Sequence, residues 1–138
     1  MIGSDILFFE NLPSTNTYAA NLLRSKEVPE GTIVRAMYQS AGRGQMGNTW
    51  ESESGKNLLI SIILYPNIIR ASDQFLISMA ISLGISDFLD KELSGCKIKW
   101  PNDIYVNNDK IAGLLIENSV IENRSEEHTS ELQSPNTI

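Results

Sequence analysis

The stretch AGRGQMGNTWESESGKN, residues 41–57, sets Arg43 among Gly42, Gly44 and Gly47 and follows them with Gly55 and Lys56. Glycines at this density let a backbone turn tightly and offer its N–H groups to an anion, and arginine adds a forked donor for phosphate or carboxylate. The literal G-x-G-x-x-G is nevertheless no dinucleotide fingerprint. That motif opens an apolar helix and is followed by an acidic residue about 20 positions on. Here Gly47 leads into the polar NTWESESG, and the region that far downstream is the apolar LLISIIL. A Walker loop fails as well, because Trp50 stands where its first glycine should be and Asn57, not Ser or Thr, follows Lys56. What remains is a long glycine-punctuated loop that can wrap an anion around one arginine.

The remaining chemistry is narrowed by residue types in short supply. His128 is the single histidine and Cys96 the single cysteine. His128 lies in RSEEHTSELQSPNTI, residues 124–138, where apolar residues almost vanish and periodicity stops. Arg124 to Ser134 resembles the in-frame translation of a sequencing-library adapter. Residues 124–138 are therefore expected to be a non-native, adapter-derived or disordered tail, and residues 1–123 the functional part. Without histidine a Ser-His-Asp triad or a His-ligated metal is excluded, and one cysteine excludes internal disulfides and multi-cysteine zinc sites. Any reaction must run on lysine, arginine, carboxylates and backbone dipoles.

At 138 residues, 41% hydrophobic and 20% charged, the chain has the profile of one soluble domain. A net charge of -6 argues against a bulk nucleic-acid binder, which needs a concentrated basic face. The N-terminal MIGSDILFFENLPST lacks the basic region and cleavage site of a signal peptide, and no apolar run reaches membrane-spanning length. The expected setting is cytoplasmic, with no membrane partner.

The elements that must hold these residues can be read in order. DILFFE is a short strand; Ser14 or Thr15 then caps a helix in which Tyr18, Ala19, Leu22 and Leu23 recur at helical spacing. TIVRAMYQ alternates as a strand leading into the glycine loop, and NLLISIILY is a buried strand closed by Pro66. SDQFLISMAISLGISDFLDKEL is the longest helix, apolar around most of its circumference and so expected to be central and well covered. CKIKW, a PND break, IYV, an NND turn and KIAGLLIENSVIE follow, the last two strands forming a hairpin. The expected fold is α+β, a mixed, mainly antiparallel sheet with helices packed on one face and incomplete at the C-terminus.

STN at 14–16, YQSAGRGQMGNTW at 38–50, GKNLLISIIL at 55–64 and KWPNDIYVNNDKIAGLLIE at 99–117 together resemble, in this order, the catalytic domain of biotin-protein ligase. The most specific piece is Lys-Trp-Pro-Asn-Asp followed at this spacing by Lys-Ile-Ala-Gly. The resemblance implies a fold like that of class II aminoacyl-tRNA synthetases and the biotin ligases. It also implies the activity of a biotin-[acetyl-CoA-carboxylase] ligase: ATP and biotin give biotinyl-5'-AMP, and the biotinyl group passes to a lysine of a biotin carboxyl carrier protein or domain.

Carried across by position, Ser14, Thr15 and Asn16, with Gln39 beside them, would face biotin. Arg43 and Lys110 would be catalytic, meeting the biotin carboxylate and the α-phosphate, with Gly44, Gln45 and Gly113 lining biotin. Gly44, Gln45, Trp50, Asn102 and Asp103 would line the nucleotide, and Asp103 would help place Mg²⁺. Gln45 stands where several relatives carry a second arginine. Each residue also has a bland role: helix capping for Ser14 and Thr15, turn formation for Asn102 and Asp103, core packing for Trp50 and Trp100. The rival readings are a lipoate or octanoate ligase or transferase of the same fold, a biotin-sensing repressor and a non-catalytic biotin-binding fragment. The transferase would need Cys96 activated without histidine. The repressor needs a helix-turn-helix module, for which there is no room before Ser14, so no DNA partner is expected. A homodimer stays open. Because the family's domain continues past residue 123, this polypeptide is expected to be weak or inactive by itself.

Overall fold

The computed structural model describes residues 1–67, 70–100, 102–122 and 130–137. Along the chain run β1 (Ile6–Leu12), α1 (Thr15–Ser25), β2 (Ile33–Gln39), β3 (Gly42–Arg43), β4 (Thr49–Trp50), β5 (Leu59–Leu64), α2 (Gln74–Leu89), β6 (Cys96–Lys99), β7 (Asp103–Val106), β8 (Asp109–Gly113), β9 (Leu115–Ile116), β10 (Ser119–Glu122) and β11 (Ser130–Thr137). Of the expected tail, residues 124–129, His128 among them, and residue 138 lie outside the described residues, while Ser130–Thr137 forms β11.

The larger sheet has the order β1-β2-β5-β11-β10, with β9 also paired to β11. β1 and β2 run parallel, and every other pair is antiparallel. A parallel neighbour needs a crossover, and α1 supplies it. β6, β7 and β8 make a second sheet of three strands, and β3 with β4 a two-stranded ribbon. This is the mixed, mainly antiparallel α+β architecture expected from the sequence.

α1 begins at Ser14, whose Oγ accepts from the Thr17 N–H at 3.3 Å, so the serine does act as the cap. Its apolar stripe closes the core: Ala19 and Leu23 pack with Leu12, Val28, Val34, Ala36 and Ile63, and the Tyr18 ring lies 4.6 Å from that of Phe9. Alternation along β1 sends Leu7 and Phe9 inward and leaves Ile6 and Phe8 exposed, with the Arg35 guanidinium 5.4 Å from the Phe8 ring. Removing the cap tests this account of the helix start. Ser14→Ala is expected to cost about 1 kcal/mol in urea unfolding, with the slope of the transition unchanged.

The second helix departs from expectation. α2 buries Ile77, Ser82 and Ser86, whereas Phe75, Leu76, Met79, Leu83 and Phe88 are exposed. A helix apolar all round needs cover on several sides. β6 and β7 are the strands that pack most against α2, so one stripe is covered and the rest faces outward.

Candidate active site

The glycine loop folds as the β3–β4 ribbon, turned by a short 3-10 segment at Gln45–Gly47. Its glycines do different work. At Gly42 an added Cβ would come 2.4 Å from the Trp50 carbonyl oxygen, so the backbone of the opposite strand occupies the side-chain position. Gly47 is needed for conformation instead, at φ +78 with nothing near its missing Cβ. Gly44 donates its N–H to the Asn48 carbonyl at 2.7 Å, so that amide closes the loop.

Lys110 and Gly113 lie three residues apart on β8, which in a regular strand would send them to opposite faces. Register restores them to one face. Tyr105 pairs with Lys110 and Ile104 with Ala112, so Ile111 is an extra residue and the strand bulges there. With Asp103 opposite Gly113, the bulge puts Lys110, Asp103 and Gly113 on the same side of the sheet. Lys110 Nζ then sits 2.9 Å from Asp103 Oδ1 and 4.8 Å from the centre of the Trp50 ring. A Cβ at Gly113 would fall 2.9 Å from Trp50 Cζ3. The close approach this glycine permits includes that of the indole.

These pieces enclose a cleft of about 410 Å³ lined by Arg43, Gly44, Gln45, Asn48, Thr49, Trp50, Asn102, Asp103, Lys110, Gly113, Leu114 and Leu115. Such a volume suits a small organic ligand. The glycine ribbon forms one wall and the β7–β8 hairpin the other, each contributing a cation. Asn102 is 5% exposed; its Nδ2 donates to the Leu114 carbonyl, and its own carbonyl accepts from the Leu114 N–H at 3.2 Å. It pins the entry to β7 against the far end of the hairpin while also lining the cleft. Among the described residues no group of three or more His, Cys, Asp or Glu could hold a metal ion. Asp103 is the carboxylate that lines the cleft. Magnesium is commonly held by one or two carboxylates plus substrate phosphates, so this donor set fits Mg²⁺ as a phosphate-bound ion.

Ser14, Thr15, Asn16 and Gln39 do not line this cleft. They are buried behind it, at 4%, 0%, 1% and 5% exposure. Gln39 Oε1 accepts from the Thr15 N–H at 2.7 Å and from Thr15 Oγ1 at 3.0 Å, and Ser61 Oγ, with one proton to give, donates to Asn16 Oδ1 at 2.6 Å and lies 2.8 Å from Thr15 Oγ1. Asn16 Nδ2 donates to the Leu115 carbonyl at 3.4 Å and to Glu117 Oε2 at 3.1 Å. Buried polar groups must find partners, and these have found one another.

Sequence reading missed two members of the arrangement. Ser61 carried a signal: in LISIIL it alternates onto the buried face with Leu59 and Ile63, where a hydroxyl demands a polar neighbour. Glu117, the last residue of the KIAGLLIE run, grips Arg43 in a two-pronged pair at 2.5 Å and 2.9 Å. Nothing in the linear sequence marks that pairing across 74 residues.

The model of the Biotin/lipoate A/B protein ligase family matches residues 8–130. The bifunctional ligase/repressor BirA of Bacillus subtilis (strain 168) is 36% identical over 129 residues, covering 90% of this chain and 38% of the relative. Among solved structures, the biotin protein ligase from Aquifex aeolicus in complex with biotin and ATP superposes with a TM-score of 0.71 at 25% identity, covering 98% of this chain and 52% of that one. The biotin acetyl coenzyme A carboxylase synthetase from Helicobacter pylori with bound biotinylated ATP gives 0.65 at 27% identity, covering 97% and 60%. The chain thus spans well under half the length of that Bacillus relative and little more than half of the solved chains.

Proposed function

The chain belongs to the Biotin/lipoate A/B protein ligase family, and from that premise we propose that it carries the substrate-activating site of a biotin-protein ligase. In this reading a biotin carboxylate oxygen attacks the α-phosphorus of ATP, the bond to the β-phosphate breaks, and pyrophosphate leaves. The neutral amine of a carrier-protein lysine then attacks the acyl carbon of biotinyl-5'-AMP, loses a proton, and AMP departs. The observation that carries the proposal is the pair of cations, Arg43 and Lys110, on opposite walls of one small cleft in a site without histidine.

Two anions must be brought together in the first step, so catalysis consists of positioning and of screening negative charge. Lys110 exchanges its contact with Asp103 for the biotin carboxylate and the α-phosphate. Asp103 would hold Mg²⁺, which would supply screening of phosphate charge. Arg43 meets the phosphate with the guanidinium N–H groups not engaged by Glu117 and Thr17. Trp50, packed close to Gly113, supplies an apolar wall that keeps water from the mixed anhydride. The buried Ser14–Asn16 and Gln39 network sets the back of the site, and biotin's ureido group competes for the same donors and acceptors. Every group used here lies within residues 1–123.

Cys96 does not favour the transferase reading, because it lies half-buried with the Ser86 hydroxyl 3.5 Å away and does not line the cleft. The direct test is transfer of labelled biotin to a biotin carboxyl carrier domain in the presence of ATP and magnesium, by a protein carrying residues 1–123 within a complete domain. Labelling of the carrier is expected with biotin and not with lipoate or octanoate. Residues 1–138 by themselves are expected to give weak or no transfer. Labelling with lipoate in preference to biotin would overturn the substrate assignment.

A further inference from the structure

Glu117 takes no part in the chemistry above, yet its carboxylate joins the glycine loop to the start of α1. Oε1 accepts from Arg43 Nη1 at 2.5 Å, and Oε2 accepts from Arg43 Nη2 at 2.9 Å and from Asn16 Nδ2 at 3.1 Å. Arg43 Nη2 also donates to Thr17 Oγ1 at 3.2 Å. A guanidinium has five N–H donors. These contacts use three, so the Nε–H and one Nη1–H remain for a ligand in the cleft that Arg43 lines.

Stability is not what this pair chiefly supplies. The two side chains are 46% and 30% exposed, and an ion pair so near water contributes little. Its consequence is geometric. Arg43 sits on a ribbon of two two-residue strands, a weak support for a side chain that must aim at a phosphate. Asn16 is fully enclosed, its Oδ1 accepting from Ser61 and its Nδ2 donating to Glu117 and Leu115. Glu117 therefore transmits the fixed position of a core amide to an exposed loop arginine. Only an acceptor without donors can receive the converging N–H groups of Arg43 and Asn16 together, and a carboxylate is such a group.

We propose that Glu117 is a positioning residue for the nucleotide, holding the Arg43 fork over the cleft by tying it to buried Asn16. The proposal rests on the function assigned above. The informative variant is Glu117→Gln, which keeps the shape but replaces one acceptor oxygen with an NH₂ group facing the donors.

Two measurements on the 138-residue chain decide it. Without ligand, amide hydrogen exchange across residues 41–50 is expected to speed up about tenfold in the variant, while the thermal midpoint stays within about 2 °C of the parent. In titrations with ATP, affinity is expected to fall about tenfold in Glu117→Gln but less than twofold when the same change is made in an Arg43→Ala background. Unchanged loop exchange would overturn the proposal. So would tighter ATP binding by Glu117→Gln, which would make the carboxylate a competitor that phosphate must displace, or equal losses in both backgrounds, which would mean that it acts on something other than Arg43. Should the 138-residue chain bind no ATP, loop exchange alone judges the positioning role, and the functional assignment is judged separately by carrier labelling in the complete domain.

Discussion

Lys110→Ala is expected to slow formation of biotinyl-5'-AMP by about two to three orders of magnitude, the usual consequence of deleting one preorganised charge at a site of anionic chemistry. The structure explains why no neighbour can substitute. Arg43, the cation across the cleft, is already held by Glu117. Lys110 reaches the cleft because the bulge at Ile111 turns it to the face of Asp103 and Gly113, so no other residue of β8 offers an ammonium there. Its removal also leaves the Asp103 carboxylate unopposed beside the incoming phosphates. Pyrophosphate release measured in a complete domain is the appropriate readout. Lys110→Arg should recover part of the rate, since it keeps the charge and changes only its shape. A rate for Lys110→Ala within threefold of the parent would remove this side chain from the chemistry.

Local signals were the ones legible in the chain. Ser14 ahead of an apolar helical stripe fixed the start of α1, and the NND turn between two strand-like runs located the β7–β8 hairpin. The residues expected at the nucleotide, Arg43, Gly44, Gln45, Trp50, Asn102, Asp103 and Lys110, line one cleft. What escaped was set by geometry between distant segments. Regular alternation puts Lys110 and Gly113 on opposite faces, and only the bulge joins them. Composition made α2 look central because a helix apolar all round normally is; coverage depends on neighbours that composition cannot count. The STN segment has the chemistry of a ligand site and of a buried network alike. Partners at Gln39, Ser61 and Glu117, far away in sequence, decide which donors and acceptors are already taken.

The glycine loop offers the sharpest remaining test, because its three glycines meet different constraints and should rank accordingly. Gly42→Ala would drive a methyl group to 2.4 Å from the Trp50 carbonyl oxygen and 3.0 Å from Gln39 Nε2. The first of these is backbone of the paired strand, so relief requires β3 and β4 to separate. Arg43 follows Gly42 and Trp50 faces it, so both cleft walls shift together. Overpacking of this kind costs about 1–3 kcal/mol, equivalent to roughly a tenfold to hundredfold loss of ATP or biotin affinity if the strain is relieved only when the site opens. Gly47→Ala meets no atom but must hold φ near +78, a cost of about 1 kcal/mol felt as faster loop exchange and a smaller loss of affinity. Gly44→Ala would place its Cβ 3.4 Å from that of Asn48, an ordinary contact on an extended backbone, and should bind ligand within about twofold of the parent. Isothermal titration of the three variants thus has a required order. If Gly44→Ala proved the most damaging, the loop would have to bind its ligand through the amide that here closes the ribbon, and the hairpin form of the loop would not be the one that accepts substrate.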